Sequence, residues 1–154
     1  MSLSAHLSIP APRRSPDDHG VARGDRPSPE AQTPAGALSL LVQARGHLLD
    51  AKQASRPADR YVCAHLAALR AATAVVVARA WSLEHAKPTS VWRLLADSAP
   101  ELRDWADFYA ARSDRRAAAE AGIPGVTGQD ADQLLRRSGE FLDIVGRSLL
   151  GAGL

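Results

Sequence analysis

The stretch from Pro57 to Ala80 constrains this chain more than any other. Val62, Leu66, Leu69, Thr73, Val76, Val77 and Ala80 recur there at spacings mostly of three and four. Ala64, Ala67, Ala68, Ala71, Ala72 and Ala74 fill much of the remaining circumference. A helix that is apolar nearly all round must be touched on several sides, so it belongs at the centre of a bundle. Its alanines let neighbouring helices approach closely. Pro57 suits the first helical position, where a missing N–H costs nothing.

The neighbours are legible in the same way. Ala37, Leu41, Ala44, Leu48 and Ala51 form one stripe, which predicts a first helix over 35–54. Thr89 or Ser90 can cap a short third helix carrying Val91, Trp92, Leu94 and Leu95. Pro100 and Glu101 open a fourth, its end fraying through Ala117–Ala119 to Gly122, with Leu102, Trp105, Ala106 and Tyr109 on its buried side. Thr127 with Asp130 caps a last helix whose stripe is Ala131, Leu135, Ser138, Leu142, Val145 and Leu149. No strand pattern competes. The expected fold is therefore all-α, an up-and-down bundle of about five helices over 35–150, with a flexible C-terminus at 151–154.

Residues 1–34 are different. They hold six of the ten prolines and few large apolar side chains. Prolines discourage both helix and sheet, and little apolar surface is present to offset the entropy of ordering. A disordered Pro-rich tail is expected there. The net charge of +2 is too small to argue for nucleic acid. The positive excess lies in 35–87, where seven Lys and Arg face only Asp50, Asp59 and Glu84. The single cysteine, Cys63, forms no internal bridge and reads as a small core hydrophobe in a reducing compartment. The longest apolar stretch, Ala71–Ala80, is about half of the ~20 residues a membrane span needs, and no secretory pattern opens the chain. A cytoplasmic protein without membrane association is expected.

Signatures of chemistry are sparse. Phosphate-binding loops, dinucleotide fingerprints, C-x-x-C and H-E-x-x-H are all missing, so no cofactor and no metal site are expected. Glu101, Asp104 and Asp107 read as a surface acidic strip, Arg115 and Arg116 as a solvated helix face, and Trp81, Trp92 and Trp105 as core or junction fillers. One pair is chemically suggestive: Arg60 and His65, in the first turns of the central helix. Histidine moves protons near neutral pH, and arginine holds a phosphate through two N–H groups. Composition alone yields about one to two such pairs in a chain this rich in arginine, so the spacing by itself is uninformative.

The run Arg56-Pro57-Ala58-Asp59-Arg60-Tyr61-Val62-Cys63-Ala64-His65-Leu66 adds weight, followed as it is by Val91-Trp92-Arg93-Leu94-Leu95, Pro100-Glu101-Leu102-Arg103-Asp104-Trp105-Ala106 and the Val126-Thr127 cap. This order resembles a small actinobacterial branch of the HEPN superfamily, the "higher eukaryotes and prokaryotes nucleotide-binding" helical domains, of SAV type. The resemblance covers about residues 36–150. It implies a four- or five-helix bundle that often forms a homodimer. In active members an R-x4-6-H motif from each protomer cleaves RNA without metal. Carried onto this chain, Arg60 would bind the scissile phosphate and His65 would act as general acid and base. Active members usually carry the motif on a late helix, whereas here it lies on the second, and many members serve only in binding. The expectation is a non-catalytic binding protein for a protein partner, RNA or a nucleotide. The alternative is a dimeric endoribonuclease of toxin or defence type.

Overall fold

The computed structural model describes residues 35–79 and 90–151. The expected tail, Trp81, the loop at 82–88, Thr89 and residues 152–154 lie outside the described residues. Among the described residues six α-helices follow one another: α1 (Ala35–Gln53), α2 (Pro57–Ala78), α3 (Val91–Ser98), α4 (Arg103–Ala110), α5 (Ser113–Glu120) and α6 (Gly128–Gly146). A 3-10 turn, Pro100–Leu102, leads into α4, and a π turn, Arg147–Gly151, continues α6. No strand occurs among the described residues, so the all-α bundle expected from the sequence is the fold.

The central helix is α2. It packs most extensively on α1 and α6, and also against α3 and α5. Its deepest face differs from the one its large residues suggest. Tyr61, Ala64, His65, Ala67, Ala68, Ala71, Ala72, Ala74, Val75 and Val76 are buried, whereas Val62, Leu66, Leu69, Thr73 and Val77 are only half-buried. The reason is steric. A face of alanines admits neighbouring backbones closely, and close approach is what removes these methyl groups from water. The larger side chains fill the flanks of the contact, where space is wider. By length and composition α2 is also long and apolar enough to cross a membrane, which counting its longest unbroken apolar run had missed. In this fold it is the core helix, enclosed by its neighbours.

The helix ends follow local chemistry. Pro57 occupies the first turn of α2. The Ser90 hydroxyl accepts from Arg93 N–H at 3.3 Å. Thr127 and Asp130 form a reciprocal capping box, each side chain accepting the other's backbone N–H at 3.1 Å. Gly122, at φ 78°, ends α5 in a Schellman motif: Ile123 N–H reaches Ala118 O at 2.9 Å, and Gly122 N–H reaches Ala119 O at 3.1 Å. A left-handed residue is needed there, and glycine pays no Cβ penalty for it.

The expected single fourth helix is instead three pieces, the 3-10 turn, α4 and α5. The break between α4 and α5 centres on the Tyr109 carbonyl. Arg112 N–H bonds it at 3.0 Å in a 3-10 pattern, and the Ser113 hydroxyl donates to it at 3.2 Å. Serine competes with the helix ladder in this way, which is why the chain turns here.

Candidate functional site

Arg60 and His65 are five residues apart on α2, which turns their side chains about 140° from each other around the helix axis. Arg60 reaches the surface. Its Nη1 lies 2.5 Å from Asp132 Oδ1 on α6, and its Nη2 donates to Ala54 O at 3.0 Å. It therefore ties the end of the α1–α2 connection to α6. His65 points inward and is 1% exposed. Its Nε2 lies 3.3 Å from the Tyr109 carbonyl, the same oxygen that marks the α4–α5 break. A carbonyl only accepts, so the proton sits on Nε2 and Nδ1 is left bare. That Nδ1 is enclosed and has no hydrogen-bond partner.

Aromatic rings complete the enclosure. Trp92 and Tyr109 meet the imidazole edge to face at 5.7 and 5.5 Å and stack on each other at 4.8 Å. A polar relay lies behind them. Ser138 donates to Ala64 O at 2.9 Å, so its oxygen is free to accept from Tyr109 Oη, also at 2.9 Å. Burial pushes the His65 pKa down to about 4, against the opposing pull of the Tyr109 carbonyl. The same burial drives the Tyr109 phenol well above its ordinary value. At neutral pH this interior is uncharged.

Sequence reasoning passed over a second polar region. Tyr61 stands one turn before His65 on the same face of α2. It lines a small cavity of about 50 Å³ together with Phe108, Arg112, Arg115, Asp130 and Gln133. Arg115, read from the sequence as part of a solvated face, leans over this cavity. The one signal available was the tyrosine directly after Arg60, and only the fold brings α4, α5 and α6 to it. The remaining sequence candidates are structural or superficial. Trp92 is core and Trp105 half-buried, while Glu101, Asp104 and Asp107 are exposed, with Glu101 paired to Arg79. No group of histidine, cysteine, aspartate and glutamate fit to hold a metal occurs among the described residues. Cys63 is a half-buried free thiol whose pKa burial raises, away from the reactive range.

A third feature is apolar. Leu38, Val42 and Leu49 on the outer side of α1 are 37%, 69% and 54% exposed. Beside them Arg45 reaches towards α6, where Gly146 leaves room for its head: a Cβ there would stand 3.1 Å from Arg45 Nη2.

Together these features define a helical bundle with an apolar external stripe, a sealed aromatic interior and a small cavity lined by Tyr61 and two arginines. The chain belongs to the SAV-type HEPN-like family, whose model matches residues 51–146, an interval that contains Arg60, His65 and the Tyr61 cavity. No curated protein and no solved structure matches the chain.

Proposed function

We propose that this HEPN-like domain is a non-catalytic binding module that pairs with a second copy of itself through the outer side of α1. The observation that carries the reading is the exposed stripe Leu38, Val42, Leu49. With Arg45 between them, these positions step by four, three and four, the spacing of a seam between two helices. Fully burying such side chains stabilises by about 1.5–3 kcal/mol each. A face repeated identically on each copy is the natural basis for a two-fold dimer. The resemblance to a superfamily that often pairs supports the same partner.

The non-catalytic part rests on the interior. The endoribonuclease alternative asks His65 to exchange a proton with a ribose hydroxyl, while the ring is sealed behind Trp92 and Tyr109 and held neutral. It asks Arg60 to hold a phosphate, while its guanidinium already bonds Asp132 and Ala54 O. No observation favours that alternative.

Light scattering at micromolar concentration tests the pairing. A dimer is expected for the full chain and a monomer for Val42→Glu; a monomeric full chain overturns it. Metal-free incubation with RNA, scored for cyclic-phosphate ends, and growth on overexpression test the chemistry. Cleavage or toxicity that His65→Ala removes would replace the binding reading with the nuclease.

A further inference from the structure

We propose that the cavity walled by Tyr61, Arg112 and Arg115 is a binding site for one phosphate group. The proposal does not depend on the pairing of α1.

Three observations converge. Tyr61 is 2% exposed, and its buried hydroxyl has no hydrogen-bond partner. A buried polar atom left in that state costs about 1–3 kcal/mol, which a bound group accepting from it would recover. The cavity beside it, about 50 Å³, exceeds several-fold the ~10–15 Å³ that a cavity needs to admit a single water. Its wall carries two guanidinium groups. Arg112 is fixed in place: its Cζ lies 3.6 Å from the centre of the Phe108 ring, and Nη1 donates to Phe108 O at 2.7 Å. That bond uses one of five donors. Arg115 stands 3.7 Å from Asp130 Oδ2, beyond hydrogen-bond length, so the carboxylate does not lock it.

Asp130 is the one anion on the wall, and the capping box already engages it through Thr127. Two arginines against one carboxylate leave the cavity positive. The electrostatics at the phenol agree: both arginines pull the Tyr61 pKa down, against a larger upward push from burial. The hydroxyl is thus a neutral donor within the field of both arginines. A planar carboxylate offers its two oxygens in one plane, so the phenol would have to share one with an arginine. A tetrahedral oxyanion has one for each arginine and another for Tyr61. Arginine pairs with phosphate in this forked geometry. The phosphate group could belong to a free monoester or to a nucleic-acid backbone, and the experiment separates the two.

The full chain is titrated with inorganic phosphate while the arginine Nε–Hε resonances are followed by NMR, with chloride at matched ionic strength as control. Saturable shifts of Arg112 and Arg115 in phosphate alone are expected. Arg115→Ala, at an exposed position, should weaken binding about tenfold or more. Tyr61→Phe should weaken it several-fold without lowering the thermal midpoint in phosphate-free buffer, because it removes an unmatched hydroxyl. A merely structural tyrosine would lower the midpoint and leave phosphate affinity unchanged. Tighter binding of adenosine monophosphate than of uridylyl-uridine assigns the site to a monoester, and the reverse order assigns it to a backbone. Val42→Glu should bind as the full chain does. Shifts that fail to saturate, that chloride reproduces, or that survive both Arg115→Ala and Tyr61→Phe would overturn the proposal.

Discussion

Tyr61 and His65 lie one turn apart on the same face of α2, and both are almost completely buried. Each carries one polar atom without a partner, Oη in the first and Nδ1 in the second. Their surroundings are opposite. His65 is enclosed by Trp92 and Tyr109, where no charge can be supported, and it stays neutral with its other nitrogen bonded to a carbonyl. Tyr61 lines a cavity together with Arg112 and Arg115. Equal burial therefore does not mean equal role. In the aromatic pocket the unpaired atom is tolerated for the packing gained around it, whereas beside the arginines it belongs to a site with room and charge for a ligand.

The largest expected effect strikes the aromatic side of this contrast. Tyr109 stacks on Trp92, meets Phe141 at 5.6 Å, and supplies the hydroxyl that bonds Ser138. Tyr109→Ala should destabilise by about 3–5 kcal/mol in urea titration, as for other large aromatics removed from a core. It would also leave Ser138 buried without the donor it accepts. A loss under about 1 kcal/mol would mean that the rings around His65 are not the tight wall described here.

Acid should break the same pocket next. The His65 pKa is about 4 in the folded chain and 6.5 when unperturbed. Between those values the unfolded chain binds a proton that the folded chain refuses, so stability falls as pH drops from above 6.5 towards 4 and then levels off. The full fall amounts to about 3 kcal/mol. Urea midpoints at pH 7.5 and 4.5, wild type beside His65→Leu, isolate this part from the titration of carboxylates. The substitution should flatten the curve over that window. An unchanged slope would show that His65 takes up its proton as readily folded as unfolded, and the sealed interior would then be wrong.

How far the sequence could anticipate this contrast depends on what each feature rests on. The bundle, the Pro57 start, the Ser90 cap and the Thr127–Asp130 box are local patterns, and they occur where residue spacing places them. The stripe Ala37, Leu41, Ala44 and Ala51 is buried on α1, with Leu48 half-buried beside it. The break after α4 was hidden, because it depends on Tyr109 O receiving three donors, one of them from α2. The buried face of α2 departs from the one its large residues mark, because alanines let neighbouring helices approach more closely than larger side chains do. Arg60 and His65 are turned apart by the helix, while Tyr61 between them shares a cavity with residues of α4, α5, α6 and the α4–α5 link, more than forty residues further on. Spacing along one helix cannot reveal a cavity closed by four.

The smallest effect concerns Arg60 and decides how that residue is to be read. Its link to Asp132 is a surface pair, since the carboxylate side chain is 65% exposed and the arginine 21%. Exposed pairs are worth about 0.2–1 kcal/mol, and the bond to Ala54 O adds a contribution of similar size. Arg60→Ala should therefore cost about 1 kcal/mol and Asp132→Ala less, with a coupling between them under about 1 kcal/mol in a double-mutant cycle. The cycle sharpens the comparison, because Arg60 adjoins Tyr61 in sequence but holds a carboxylate where Arg112 and Arg115 face a cavity. A staple between the α1–α2 connection and α6 shows this coupling and leaves phosphate affinity unaltered when either partner is removed. If Arg60→Ala instead leaves stability untouched and weakens phosphate binding as strongly as Arg115→Ala, then Arg60 leaves Asp132 when the ligand arrives. The anion site would then extend across the start of α2.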